Sequence, residues 1–267
     1  MNAAGGRMEI NSGSRKIGLA LGGGAARGFA HIGVLKVLEE KNVRVHCVAG
    51  TSAGSLIGSL FCSGLNWREL SELARDINWG DLVSPTWPTL GIVNPDKLEK
   101  TLDRVLRGRR FEQLSIPFRA VAVDITTGEE VVLSSGLVAR AVRASCSIPG
   151  IFEPTEIAGR LLVDGGLLNN VPSDVLKEMG AEVLIGVDLN ADRVTHHRPE
   201  NLLEVFYRSL NILIHNSAQK ARRAADIMVE PRLEGFAYHD LGRSDELIER
   251  GERAMAAQME KLKGLTV

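Results

Sequence analysis

The chain alternates between short, almost continuously apolar runs and longer stretches whose apolar residues recur every three or four positions. Lys16–Leu21, Val43–Ala49, Phe118–Ile125, Glu130–Leu133, Leu161–Asp164, Glu182–Leu189 and Asp226–Glu230 read as strands. Several are apolar at successive positions, which suits strands covered on both faces of a mostly parallel sheet. Helical spacing predicts helices at about Ala26–Lys41, Ala53–Ser63, Trp67–Ile77, Pro95–Leu106, Gly136–Ser145 and Pro172–Met179. Two longer helices are expected at Glu200–Arg223 and Asp240–Lys263. This alternation predicts an α/β fold of three layers, α/β/α, with a mostly parallel central sheet and crossover helices.

No internal repeat or low-complexity linker interrupts the pattern, so residues 16–267 are expected to form one domain. Residues 1–15 have no apolar core of signal-peptide type and read as a disordered lead-in. The segment Ile77–Asn94 holds Trp79 and Trp87 among turn-forming Pro and Gly residues. A patternless stretch of that length is expected either to work as a lid or binding loop, or to cover the sheet edge.

Two turns carry candidate chemistry. The run ending at Ala49 passes into Gly50-Thr51-Ser52-Ala53-Gly54, the G-x-S-x-G form of a nucleophile elbow. Such a turn holds its serine between a strand and a helix, and the glycines leave room for both elements. Taken alone, the pentapeptide reads equally well as a Gly-rich turn with an incidental serine. Earlier in the chain, Lys16–Leu21 runs into Gly22-Gly23-Gly24-Ala25-Ala26-Arg27-Gly28. A strand–glycine turn–helix presents backbone N–H groups to an anion. A dinucleotide fingerprint would need glycine where Arg27 stands and an acid after the next strand, where Ser52 stands instead. A phosphate loop would need Gly-Lys-Ser/Thr, which is absent. The remaining anion is a reaction oxyanion, with Gly22–Gly24 and the Ala53 amide as donors. Arg27 could add positive charge there or pair with a surface acid.

A serine nucleophile needs a base. The late histidines His196, His197, His215 and His239 do not occupy strand-end turns. Three aspartates do: Asp124, Asp164 and Asp188. Asp164 precedes Gly165 and Gly166, a tight turn expected to leave its side chain exposed, whereas Asp124 and Asp188 read more readily as turn or cap residues.

In order along the chain, Gly22–Gly28, Gly50–Gly54, Arg143–Pro154 and Asp164-Gly165-Gly166 resemble the motifs of the patatin-like phospholipases, with the closest likeness to compact bacterial members. The resemblance covers about Lys16–Leu189. It implies a patatin-like fold and a Ser–Asp dyad without histidine, with Ser52 as nucleophile and Asp164 as base. Gly22, Gly23, Gly24 and Ala53 would form the oxyanion hole. The implied reaction is hydrolysis of acyl lipid esters, of phospholipase A or lysophospholipase type, through an acyl-Ser52 intermediate, with no metal or organic cofactor. An acyltransferase on the same site, or a low-turnover regulatory protein retaining the fold, stays open. The motif-bearing core ends near residue 189, and the helical part 199–267 has no assigned role.

Composition changes the picture little. The chain of 267 residues carries a net charge of -1, which gives no electrostatic case for nucleic acid as a partner. No apolar stretch approaches the roughly 20 residues needed to span a bilayer. Cys47, Cys62 and Cys146 lack metal-ligand spacing and read as reduced core thiols of a cytoplasmic protein. Leu202, Leu203, Val205, Phe206, Leu210 and Leu213 stripe the first late helix. That stripe suits core, a homo-oligomer contact, or peripheral contact with the inner face of a membrane.

Overall fold

The computed structural model describes residues 15–78, 80, 84–85, 90, 93–94, 96–191 and 198–266. Residues 1–14 of the lead-in, Trp79 and Trp87 of the expected lid, and His196 and His197 lie outside the described residues.

All seven expected strands form: β1 (Ile17–Leu21), β2 (Val45–Thr51), β5 (Phe118–Asp124), β6 (Glu130–Leu133), β8 (Arg160–Asp164), β9 (Val183–Val187) and β10 (Ile227–Val229). Three short ones join them, β3 (Ser84–Pro85), β4 (Val93–Asn94) and β7 (Thr155–Ile157), too brief to carry a readable alternation. The main sheet has the order β10-β9-β1-β2-β5-β8-β7, with β6 also paired to β5. Strands β10, β9, β1, β2 and β5 are parallel, whereas β6, β8 and β7 are antiparallel to their neighbours.

One detail of register places the site. Along β5, Val121 pairs with Thr51 of β2, and the next residue, Ala122, pairs with Asp164 of β8. Strand β6 pairs with Ala120–Val123 and so takes the other edge of β5. Strands β2 and β8 therefore share one edge, run toward each other and meet at their C-terminal ends.

The helices are α1 (Ala30–Glu40), α2 (Ala53–Cys62), α3 (Trp67–Asp76), α4 (Asp96–Leu106), α5 (Val138–Ser145), α6 (Ser173–Glu178), α7 (Leu202–Ala224), α8 (Ser244–Ala256) and α9 (Met259–Thr266). A 3-10 turn, Ala25–Phe29, leads into α1. The single helix expected over Asp240–Lys263 is broken into a 3-10 turn, α8 and α9. The break lets Met255, Met259 and Leu262 all reach the core. Ile17, Leu19 and Leu21 face a core shared with α1 to α5, α8 and α9, while Ala20, Cys47 and Ala49 face α6 and α7. That alternation along buried strands builds the three layers.

Helices α1 and α8 cross at glycines. A Cβ on Gly33 would lie 1.9 Å from the Ile248 carbonyl oxygen, and one on Gly251 would lie 1.8 Å from that of Ala30. Only hydrogen fits at either point, so α8 lies backbone to backbone on the helix that follows the glycine turn.

Candidate active site

Ser52 stands between β2 and α2 with φ 52° and ψ -124°, the left-handed side that non-glycine residues rarely adopt. The surroundings hold it there. A Cβ on Gly54 would lie 2.0 Å from the Leu21 carbonyl oxygen, and one on Gly50 would lie 2.6 Å from that of Gly54. The Ser52 N–H donates to Ser145 Oγ at 2.9 Å, and Ser145 in turn donates to the Val121 carbonyl at 2.6 Å. The elbow is thereby tied to β5 through α5, a contact the pentapeptide could not reveal.

Asp164 ends β8 directly opposite. Its Oδ1 accepts the Gly166 N–H at 2.8 Å. Asp164 is expected to be exposed but is buried, at 5 % exposure, and Ser52 is buried with it at 8 %. The physical reason is a roof over the turn: Ser217 Oγ of α7 donates to the Gly166 carbonyl at 2.8 Å, and Ile214 packs above Gly166. Burial pushes the Asp164 carboxyl up to about 6, while hydrogen bonds from the Ser52 hydroxyl and the Gly166 N–H hold it down. A carboxylate near neutrality beside a hydroxyl can take its proton.

The glycine turn lies against this pair. Gly22 donates its N–H to the Val187 carbonyl at 3.0 Å, and Gly23 donates to Asn170, to the backbone oxygen and to Oδ1, each at 3.2 Å. Among the described residues, the N–H groups of Gly24 and Ala53 have no acceptor. Two side chains grip the turn's carbonyls. His31 Nε2 meets the Gly22 oxygen at 2.8 Å; burial pushes this histidine down to about 4, so the neutral ring is the donor. Asn190 Nδ2 donates to the Gly23 oxygen at 2.8 Å and Tyr238 donates to Asn190 Oδ1 at 2.9 Å. In a trans peptide the N–H points opposite the carbonyl, so the Asn190 bond aims the Gly24 N–H away from Asn190.

The other candidates have structural partners. Asp124 Oδ1 accepts the Thr126 N–H at 2.9 Å, and Asp188 pairs with Arg222 at 3.0 Å. Among the described residues, Arg27 has no acidic partner. Its guanidinium donates to the Phe236 and Leu189 carbonyls and lies 4.4 Å over the Tyr238 ring. Cys47 and Cys62 are core residues, but Cys146 is only partly buried, with its sulfur 3.9 Å from Ser55 Oγ. Burial, reinforced by the Asp164 charge, pushes its thiol up to about 12, so it stays protonated beside the serine.

Sequence reasoning missed Ser145, Asn169, Asn170, Asn190, Tyr238 and His31. Asn169 and Asn170 follow Gly166 closely, and this was the available signal. The Asn169 carbonyl accepts the Thr51 hydroxyl at 2.8 Å, while Asn170 holds Gly23. One short segment thus clamps the elbow and the glycine turn to the Asp164 turn. A cavity of about 500 Å³ is lined by Leu56 and Leu60 of α2 and by Lys97, Lys100 and Arg104 of α4.

Ser52 in a strand–turn–helix elbow and Asp164 at a strand end thus meet on the central sheet of a three-layer α/β fold. Residues 19–177 match the family described as patatin-like phospholipase, and the chain belongs to it. It is 36 % identical over 182 residues to an uncharacterised NTE family protein of Mycobacterium tuberculosis, covering 67 % of this chain and 50 % of that one. It is also 36 % identical over 189 residues to patatin-like phospholipase domain-containing protein 6 of Mus musculus, covering 67 % of this chain and 14 % of the mouse protein. The chain therefore spans about half the length of the mycobacterial relative and a small part of the animal one. Among solved structures, VipD from Legionella pneumophila superposes with a TM-score of 0.56 at 15 % identity, over 94 % of this chain and 67 % of VipD. The type III effector ExoU gives 0.53 at 13 % identity, over 92 % of this chain and 53 % of ExoU.

Proposed function

We propose that the protein is a lipid acyl hydrolase of phospholipase A or lysophospholipase type, working through a Ser52–Asp164 dyad. The observation that carries this reading is the strained, buried Ser52 beside a carboxyl held near 6. Ser52 Oγ attacks the ester carbonyl and its proton passes to Asp164. The carbonyl electron pair becomes an oxyanion held by the Gly24 and Ala53 N–H groups, with Gly22 and Gly23 shaping the turn. Collapse expels the alcohol, which takes the proton from Asp164 and leaves acyl-Ser52. Water, deprotonated by Asp164, then releases the fatty acid. Each fixed oxyanion donor is worth about 2.7–4 kcal/mol of barrier.

Two apolar features support a lipid substrate. The cavity along Leu56 and Leu60, lined by neither Ser52 nor Asp164, has the size of an ordinary ligand pocket and would take an acyl chain laid along α2. Helix α7, which roofs the site, exposes Leu202, Val205, Phe206, Ile212 and Leu213. Leu210 of that stripe is buried, as the core reading of it expects. Five large apolar side chains open to solvent suit a lipid surface, and no helix among the described residues is long and apolar enough to cross a membrane. The test is intact-mass analysis after a fluorophosphonate probe. Wild type should gain one adduct and Ser52→Ala none; an unlabelled, folded wild type would overturn the reading.

A further inference from the structure

Asn170 sits between the glycine turn and the dyad, and half of its side-chain amide is unpaired among the described residues. The Gly23 N–H can only donate, so the amide atom it meets at 3.2 Å is the oxygen, Oδ1. That assignment fixes the other end. Nδ2 is buried and has no acceptor among the described residues. Asn170 as a whole is 1 % exposed, so bulk water does not serve it.

The amide lies close to the reacting groups. The position a Cβ would take on Gly23 is 2.7 Å from Asn170 Oδ1 and 3.0 Å from Ser52 Cβ. The matching position on Gly166 is 3.1 Å from both Asn170 Oδ1 and Asp164 Oδ1. Nδ2 of each neighbouring asparagine has an acceptor: Asn169 Nδ2 donates to Glu130 and Asp174, and Asn190 Nδ2 to the Gly23 carbonyl. Buried polar groups are nearly always paired, so an orphan donor beside a nucleophile marks where a ligand completes the pairing.

We propose that Asn170 Nδ2 is a third oxyanion donor, acting beside the Gly24 and Ala53 N–H groups. The proposal rests on the acyl-serine reading above. The Gly23 N–H is occupied by Asn170, whose Oδ1 lies against the Cβ positions of both Gly23 and Gly166, with the unpaired Nδ2 on the same amide. Its backbone oxygen and Oδ1 both hold Gly23, so the donor is fixed before substrate arrives. No proton moves through it. As Ser52 Oγ bonds to the carbonyl carbon, the π pair moves onto the carbonyl oxygen, the serine proton goes to Asp164, and Nδ2–H hydrogen-bonds to the new anion.

Asn170→Asp keeps an acceptor for the Gly23 N–H but removes the donor, and Asn170→Ala removes both without adding charge. For each, kcat and KM on a soluble short-chain ester and the rate of Ser52 phosphonylation by a fluorophosphonate would be measured across pH, alongside thermal melting. The expected result is a loss of about 10²–10³-fold in kcat and in phosphonylation at the pH plateau, with KM changed only a few-fold. Folded variants that keep kcat within about threefold would overturn the proposal, as would a loss in both variants that disappears at high pH, which would belong to Asp164. Labelled wild type with unimpaired variants sinks this proposal alone; unlabelled wild type sinks the acyl-serine reading and this one with it.

Discussion

Replacing the base should make the protein more stable, and by an amount set by pH. Burial lifts the Asp164 carboxyl from an ordinary 3.8 to about 6. Below about pH 4 the group is protonated both folded and unfolded, and contributes no pH dependence. As pH rises toward 6 the unfolded chain loses the proton first, so the folded state is progressively penalised. Above 6 the penalty is complete. A gap of about two pH units at about 1.36 kcal/mol each amounts to roughly 3 kcal/mol. Asp164→Asn keeps the Oδ1 acceptor for the Gly166 N–H but carries no charge, so it should escape most of that penalty. Urea unfolding of both proteins from pH 4.5 to 8 would measure it. The variant should gain about 1–3 kcal/mol over wild type above pH 7, with the difference shrinking toward pH 4.5. Its esterase activity should be nearly abolished. In wild type, kcat/KM should rise with pH through a midpoint near 6, because the base must first shed its proton. Identical pH dependence in the two proteins, or a wild type that gains on the variant as pH rises, would refute a carboxyl destabilised by burial.

Gly251→Ala should destabilise by about 3 kcal/mol, the upper end for an overpacked core, since its Cβ would meet the Ala30 carbonyl oxygen. A urea midpoint within error of wild type would show that α1 and α8 can part cheaply. Replacing Phe206 and Leu213 together by Gln should abolish co-sedimentation with phospholipid vesicles and hydrolysis of vesicle substrate, yet spare a soluble ester. Unchanged vesicle binding, with a drop in the mass measured by light scattering, would make the α7 face a contact between copies of the chain.

Strands and most helices were legible because their signals are local: apolar runs, helical spacing and glycine turns lie within a few residues of each other. The elbow and Asp164 were legible for the same reason. Their burial was not, because the covering contacts come from Ile214 and Ser217 on a helix far along the chain. Asn190 escaped notice since an isolated polar residue gives no hint of a partner more than a hundred positions away, and for Asn170 closeness to Gly166 was the one local sign. The break between α8 and α9 carries neither proline nor glycine, and follows from how three apolar side chains reach the core.

Strands β2 and β8 meet end to end on β5, at the consecutive residues Val121 and Ala122. The gap between Ser52 and Asp164 is thus set by a single step of one strand. A slip of one residue in either pairing would turn the side chains to the opposite face. Reactivity at Ser52 therefore reports that both halves of the sheet have zipped in register. Adding a covalent serine probe at intervals during refolding would clock the arrival of β8 on β5.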